Sequence, residues 1–164
     1  MDILRAPWRM EYIGSSNIKT GCIFCDYGTD DKDEENLILV RGKYSYIIMN
    51  RYPYSVGHLL ITPYRHTSNL LSLSNEEKLE ILTLSQRSVT ILQKIMSADG
   101  FNIGMNLGRV AGAGIDTHLH LHVVPRWSGD INFMSVTAET KVLPEALSVT
   151  YRKILDEWKI WSAL

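Results

Sequence analysis

Cysteine, phenylalanine and proline are sparse in this chain of 164 residues, at two, three and five residues. Two cysteines cannot build the disulfide framework of a small secreted domain. Neither sign of charge is in excess, with 17 Lys and Arg against 18 Asp and Glu and a formal net charge of −1. Nonspecific nucleic-acid binding depends on a basic surplus, so no nucleic-acid partner is expected, and any anionic ligand must be held by a local site. No apolar run is long enough to cross a bilayer, and the segment Met1 to Trp8 places no basic stretch before an apolar one. The expectation is a cytoplasmic protein with no membrane partner. With no internal repeat, the chain reads as a single domain over 1–164 with room for a sizeable core.

What is present is concentrated. Three of the five histidines alternate in one apolar run, His118-Leu119-His120-Leu121-His122-Val123-Val124-Pro125. Period two is that of a strand, which would set the imidazoles on one face and Leu119, Leu121 and Val123 toward a core. At roughly 3.3 Å per residue, His118 and His122 would lie about 13 Å apart, too far to share one metal ion unless the strand bends sharply. The three rings are therefore expected to hold separate roles.

Other elements follow from pattern. Residues 1–36 show little periodicity, carry Cys22-x-x-Cys25 and end in an acidic run, 29–36, that reads as a solvated loop. Strands are predicted at Leu37 to Val40, Tyr44 to Met49, His58 to Thr62, Phe101 to Leu107 and along the histidine run. Ser74 and Glu77 form a capping box opening a long helix to about Ser97, whose Leu79, Leu82, Val89, Leu92 and Met96 are expected to face the sheet. A last helix, in a tail over 128–164, is predicted to begin near Pro144 and to bury Leu147, Tyr151, Ile154, Leu155 and Trp158. The sum is an α+β fold with one antiparallel sheet over 37–127. Before the histidines, Gly108 to Gly114 is small enough for backbone N–H groups to approach a phosphate.

The run His118 to Val124 resembles the motif of the histidine triad superfamily, nucleotide hydrolases and transferases. Asn50-Arg51-Tyr52-Pro53, Gly57 to Pro63 and Val124 to Asp130 are similar to its fragile histidine triad branch. Ala6 to Ile13, Gly104 to Gly108 and Asn132-Phe133 are similar to its bacterial diadenosine tetraphosphate phosphorylases. The resemblance implies a five-stranded antiparallel sheet with one long helix and a C-terminal helix, assembled as a homodimer or higher homo-oligomer.

By the same resemblance, His120 is the nucleophile and attacks the α-phosphorus of a nucleotide. His122 and His58 donate to phosphate oxygens, and His118 orients His120. Asn106, Gly112, Ala113 and Gly114 complete the anion cradle, Asn50 holds the ribose, and Ile23, Phe24 and Ile48 form the base slot. The implied substrate is a dinucleoside polyphosphate or another adenine nucleotide. Cleavage passes through a nucleotidyl-histidine, with inorganic phosphate or water as acceptor. Phosphorolysis of diadenosine tetraphosphate to ADP and ATP is the leading expectation. An asymmetric hydrolase, an AMP-phosphoramidase or ADP hydrolase, and a non-enzymatic adenine-nucleotide sensor are the alternatives. A catalytic zinc site on the histidines is a further reading.

Cys22-x-x-Cys25 has the spacing of a zinc knuckle or a redox dithiol; no strand-then-helix pattern surrounds it to favour the redox pair, and a closed tetrahedral site needs two more ligands. Zinc-containing bacterial relatives imply His66 and His118, giving one structural zinc per chain. The chain departs from the fragile histidine triad branch, which lacks the Cys pair and the histidine at His66. It also has small residues at Ala113 and Gly114, and Trp127 where that branch has a basic residue.

Overall fold

The computed structural model describes residues 21–130 and 145–162. The similar segments Ala6 to Ile13 and Asn132-Phe133, and the expected helix start at Pro144, lie outside them. Five antiparallel strands form one sheet: β1 (Ile38–Arg41), β2 (Ser45–Met49), β3 (Leu59–Pro63), β4 (Gly100–Met105) and β5 (Leu121–Arg126), in the order β1-β2-β3-β5-β4. The strand carrying His122 is thus interior. Pro125 is tolerated there because β3 pairs only with Leu121, His122 and Val123, so the missing N–H interrupts no bond to β3.

Helix α1 (Ile23–Thr29) follows Cys22, and α2 (Asp33–Asn36) is a single turn. The second is a correction, since the acidic run was expected to be a solvated loop; the first was not predicted, the segment showing little periodicity. Arg41 organises them: it pairs with Asp33 and donates to the carbonyls of Tyr27, Gly28 and Asp30, the C-terminal end of α1 and the residue after it. A guanidinium at that end satisfies orphan carbonyls and complements the helix dipole.

Helix α3 (Asn75–Met96) opens with the expected capping box, Ser74 Oγ accepting from Glu77 N and Glu77 accepting from Ser74 N. Its buried face is set by Ile81, Leu84, Ser85, Ser88, Ile91 and Leu92, with Val89 and Met96 packed alongside. Leu79 and Leu82 do not face the sheet; they are 68% and 58% exposed. Only the first half of the expected stripe is displaced: Ile81 and Leu84 follow the i, i+3, i+4 spacing equally well and are covered in place of Leu79 and Leu82, while Val89, Leu92 and Met96 pack as expected. Helix α4 (Leu147–Ser162) buries Tyr151, Ile154 and Trp158, and Tyr151 donates from its hydroxyl to Ile38 O at 2.9 Å, covering the β1 side of the sheet.

Candidate active site and metal centre

His58 enters the site from the turn before β3. Gly57 has φ +76°, and a Cβ there would lie 2.8 Å from Met96 Sδ, so only glycine fits between this turn and α3. Asn50 Nδ2 donates to His58 Nδ1 at 3.2 Å, and the Tyr54 backbone N–H donates to the same nitrogen at 3.0 Å. His58 Nδ1 is therefore an acceptor and its proton sits on Nε2, which donates to His122 Nδ1 at 2.9 Å. The neutral His122 ring then carries its own proton on Nε2.

The histidine run departs from the expected strand. Regular pairing begins at Leu121, and 118–120 are held instead by the last two residues of β3 and the loop after it. Leu119 N donates to Thr67 O at 2.7 Å, Thr62 Oγ1 donates to Leu119 O at 2.8 Å, and His118 Nε2 donates to Pro63 O at 2.8 Å. All three rings are nonetheless buried, and His120 and His122 meet edge-on at 4.9 Å between centroids.

His120 Nδ1 lies 2.9 Å from His118 O. A carbonyl only accepts, so the ring proton is on Nδ1 and the Nε2 lone pair is free. Burial pushes both His118 and His120 below the usual histidine range, which keeps these rings neutral near pH 7. A neutral imidazole with a fixed tautomer and an available lone pair is a nucleophile.

Of the cradle residues, Asn106 donates from Nδ2 to Gly112 O at 3.3 Å, and Gly112 adopts φ +90°. Ala113 is buried and Gly114 exposed. The loop contains a short 3-10 turn, Arg109–Ala111, absent from the sequence reading. Phe24 is buried with Ile38, Tyr46, Ile48 and Leu60, and its ring lies 5.4 Å from His118 and 5.1 Å from His120. Ile23 and Ile48 pack in the same cluster. Tyr54 was missed: its ring stacks on His122 at 5.8 Å and 13°, and meets His58 at 4.7 Å with the planes tilted by 38°. Its place four residues before His58 is the only trace of this in the sequence.

Cys22, Cys25, His66 and His118 come together from α1, the post-β3 loop and the histidine run, with one ligand atom each and all within 4.8 Å of one another. Cys22 Sγ lies 3.3 Å from His118 Nδ1, and Cys25 Sγ lies 3.3 Å from His66 Nδ1 and 3.6 Å from His118 Nδ1. Tetrahedral coordination with metal–sulfur near 2.3 Å and metal–nitrogen near 2.0–2.1 Å gives sulfur–nitrogen edges of about 3.6 Å, so the set fits one closed ion. The bond from His118 Nε2 to Pro63 O turns Nδ1 toward the thiols. Burial first, and then the Cys22 thiol, push Cys25 up to about 11. A coordinated dication would reverse this and hold the thiolate.

Comparisons with known proteins agree with this geometry. The HIT domain matches residues 31–129. The chain is 43% identical to AP-4-A phosphorylase of Mycobacterium tuberculosis over 162 residues, covering 94% of this chain and 83% of that protein. It is 30% identical to the asymmetrical bis(5'-nucleosyl)-tetraphosphatase of Schizosaccharomyces pombe over 95 residues, 58% of this chain and 52% of that one. A crystal structure of a Zn-bound histidine triad family protein from Mycobacterium smegmatis superposes with a TM-score of 0.70 at 24% identity, covering 88% of this chain and 99% of that chain.

Proposed function

Since this chain belongs to the HIT domain family, we propose that it cleaves dinucleoside polyphosphates at the α-phosphate, with diadenosine tetraphosphate as substrate and inorganic phosphate as acceptor. The observation that carries the reaction is the bond from His120 Nδ1 to His118 O, which leaves Nε2 for attack beside the donor Nε2–H of His122.

In the first step His120 Nε2 bonds to the α-phosphorus and the bond to the bridging β-phosphate oxygen breaks, releasing ATP. The charge gained by the imidazole is shared with the His118 carbonyl through Nδ1–H. His122 Nε2–H and the backbone N–H groups of Gly112 to Gly114, braced by Asn106, stabilise the crowded phosphoryl oxygens. In the second step a phosphate oxygen attacks the same phosphorus and His120 leaves, giving ADP. Water in that place gives AMP, the hydrolase reading, which the asymmetrical tetraphosphatase relative favours.

One amide N–H of Asn50 is used on His58 and the other is available to a ribose oxygen. Ile23, Phe24 and Ile48 border the base slot. The metal is a structural zinc, one per chain, which ties α1 to the sheet and fixes the His118 ring; no chemical step passes through it.

The open edge strand β4, with Ile103 half-exposed, supports a homodimer in which the sheet continues across a two-fold axis. Among the described residues no helix is long and apolar enough to cross a membrane, and a cytoplasmic setting suits a free nucleotide substrate. Incubation with diadenosine tetraphosphate, with and without inorganic phosphate, tests the assignment. ADP and ATP are expected only with phosphate; AMP and ATP regardless of phosphate would make it a hydrolase, and no cleavage would overturn both readings.

A further inference from the structure

The β3–β5 ladder stops one pair short of the nucleophile. Its register pairs Leu59 with Val123, Leu60 with His122 and Ile61 with Leu121, and continuing it would set Pro63 opposite Leu119. Backbone groups alternate in direction along an antiparallel strand. Tyr64 N donates to Tyr44 O on the β2 side at 2.9 Å, so the even-numbered neighbour Thr62 also points its backbone toward β2, and Ile61 and Pro63 point toward β5. The Leu119 carbonyl would thus take its ladder bond from residue 63. Proline has no N–H to give.

The Thr62 side chain supplies the missing donor, its hydroxyl reaching Leu119 O at 2.8 Å. The other half of the lost pair is also rerouted, with Pro63 O taken by His118 Nε2 and Leu119 N by Thr67 O. The single residue between His118 and His120 is therefore clamped at both its N–H and its C=O by groups outside the ladder. Thr62 is fully buried, so water does not compete for the bond.

We propose that Thr62 is a positioning residue for His120: its hydroxyl replaces the donor that Pro63 lacks, fixes the Leu119 carbonyl, and so holds the backbone that presents the His118 carbonyl to His120 Nδ1. This rests on the reading of His120 as the nucleophile, and the test separates the two.

Thr62→Val keeps the shape and removes the donor; Thr62→Ser keeps the donor and removes the methyl. Each is compared with wild type, as purified with its metal, for kcat and KM on diadenosine tetraphosphate with phosphate, for metal content, and for the His120 tautomer by imidazole nitrogen NMR. The expected result for Thr62→Val is a roughly tenfold lower kcat, the loss of about one hydrogen bond, with KM within about twofold. Metal content is expected to be unchanged, and the single Nδ1–H tautomer of His120 to become a mixture. Thr62→Ser is expected to restore kcat to within about threefold and the single tautomer. Wild-type kcat and tautomer in Thr62→Val would overturn the proposal. So would an equal loss in Thr62→Ser, which would assign the effect to packing, or loss of metal from Thr62→Val, which would route it through the metal centre. If the wild type cleaves no dinucleotide, the proposed reaction fails while the tautomer measurement still decides the role of Thr62. Should Thr62→Val not fold, Thr62→Cys, a weaker donor with the unbranched shape of the Thr62→Ser control, is expected to give a loss intermediate between wild type and Thr62→Val and a partial mixture; wild-type values in it would overturn the proposal.

Discussion

The main-chain oxygen of His118 accepts the Nδ1 proton of His120 at 2.9 Å while the His118 side chain turns its own Nδ1 toward Cys22 and Cys25. On the proposed reading one residue serves two centres, the ring for the metal and the carbonyl for the nucleophile. Replacing the ring should therefore cost less than replacing the nucleophile. His118→Ala is expected to lose metal and roughly tenfold in kcat, whereas His120→Ala should keep its metal and lose on the order of a thousandfold or more. Equal losses in steady-state assays of the two variants would contradict this division.

The proposed metal centre would join α1, the loop carrying His66 and the histidine run, so its loss should be felt as stability. Cys22→Ser or His66→Ala is expected to abolish stoichiometric zinc and lower the unfolding midpoint, by roughly 2–4 °C for each kcal/mol lost in a chain of this size. His122→Ala should keep zinc. Elemental analysis and thermal melts check this; a zinc content that falls in His122→Ala but survives in Cys22→Ser would instead support a catalytic metal on the histidines.

Asn50 is expected to act on both kcat and KM, because one amide N–H meets His58 Nδ1 and the other is available to the substrate. Asn50→Ala should lower kcat about fivefold to tenfold through a loosened His58–His122 pair, and raise KM about threefold. A rise in KM alone would remove the His58 role.

Glu77 ties the start of α3 to Arg65, the neighbour of His66, with contacts of 2.9 and 2.8 Å. The Arg65 guanidinium holds the Glu77 carboxyl below the usual glutamate range, opposed by burial. A carboxylate lowered on folding contributes stability that is fully present above its unfolded value of about 4.3 and is lost as pH falls through the folded one. Glu77→Gln is expected to destabilise by about 1–3 kcal/mol at pH 7 and to flatten the pH dependence of stability below about 4.3. Urea titrations across pH that show an unchanged acid limb would contradict this.

The sheet, the long helix with its cap, and the clustering of both cysteines with His66 and His118 were legible because each leaves a local pattern or a specific motif. Three features were not. The first half of the buried stripe of α3 was misplaced because Leu79, Leu82, Ile81 and Leu84 are all apolar, and only the tertiary neighbour decides which of them are covered. Helices α1 and α2 are short, and Arg41, distant in sequence, holds them in place. The histidine run alternates like a strand, yet its first half is held by Thr62, Pro63 and Thr67. The cause is a proline on the neighbouring strand, which no periodicity of the run itself can reveal.

On the proposed reading His120 carries the nucleotide between the two half-reactions. The decisive measurement mixes the protein with diadenosine tetraphosphate without phosphate, quenches at alkaline pH to spare a nitrogen–phosphorus bond, and determines intact and peptide masses. One adenylyl group per chain is expected, located on His120, formed with release of ATP and discharged as ADP when phosphate is added. Turnover with no such adduct, or an adduct on another residue that persists in His120→Ala, would contradict it.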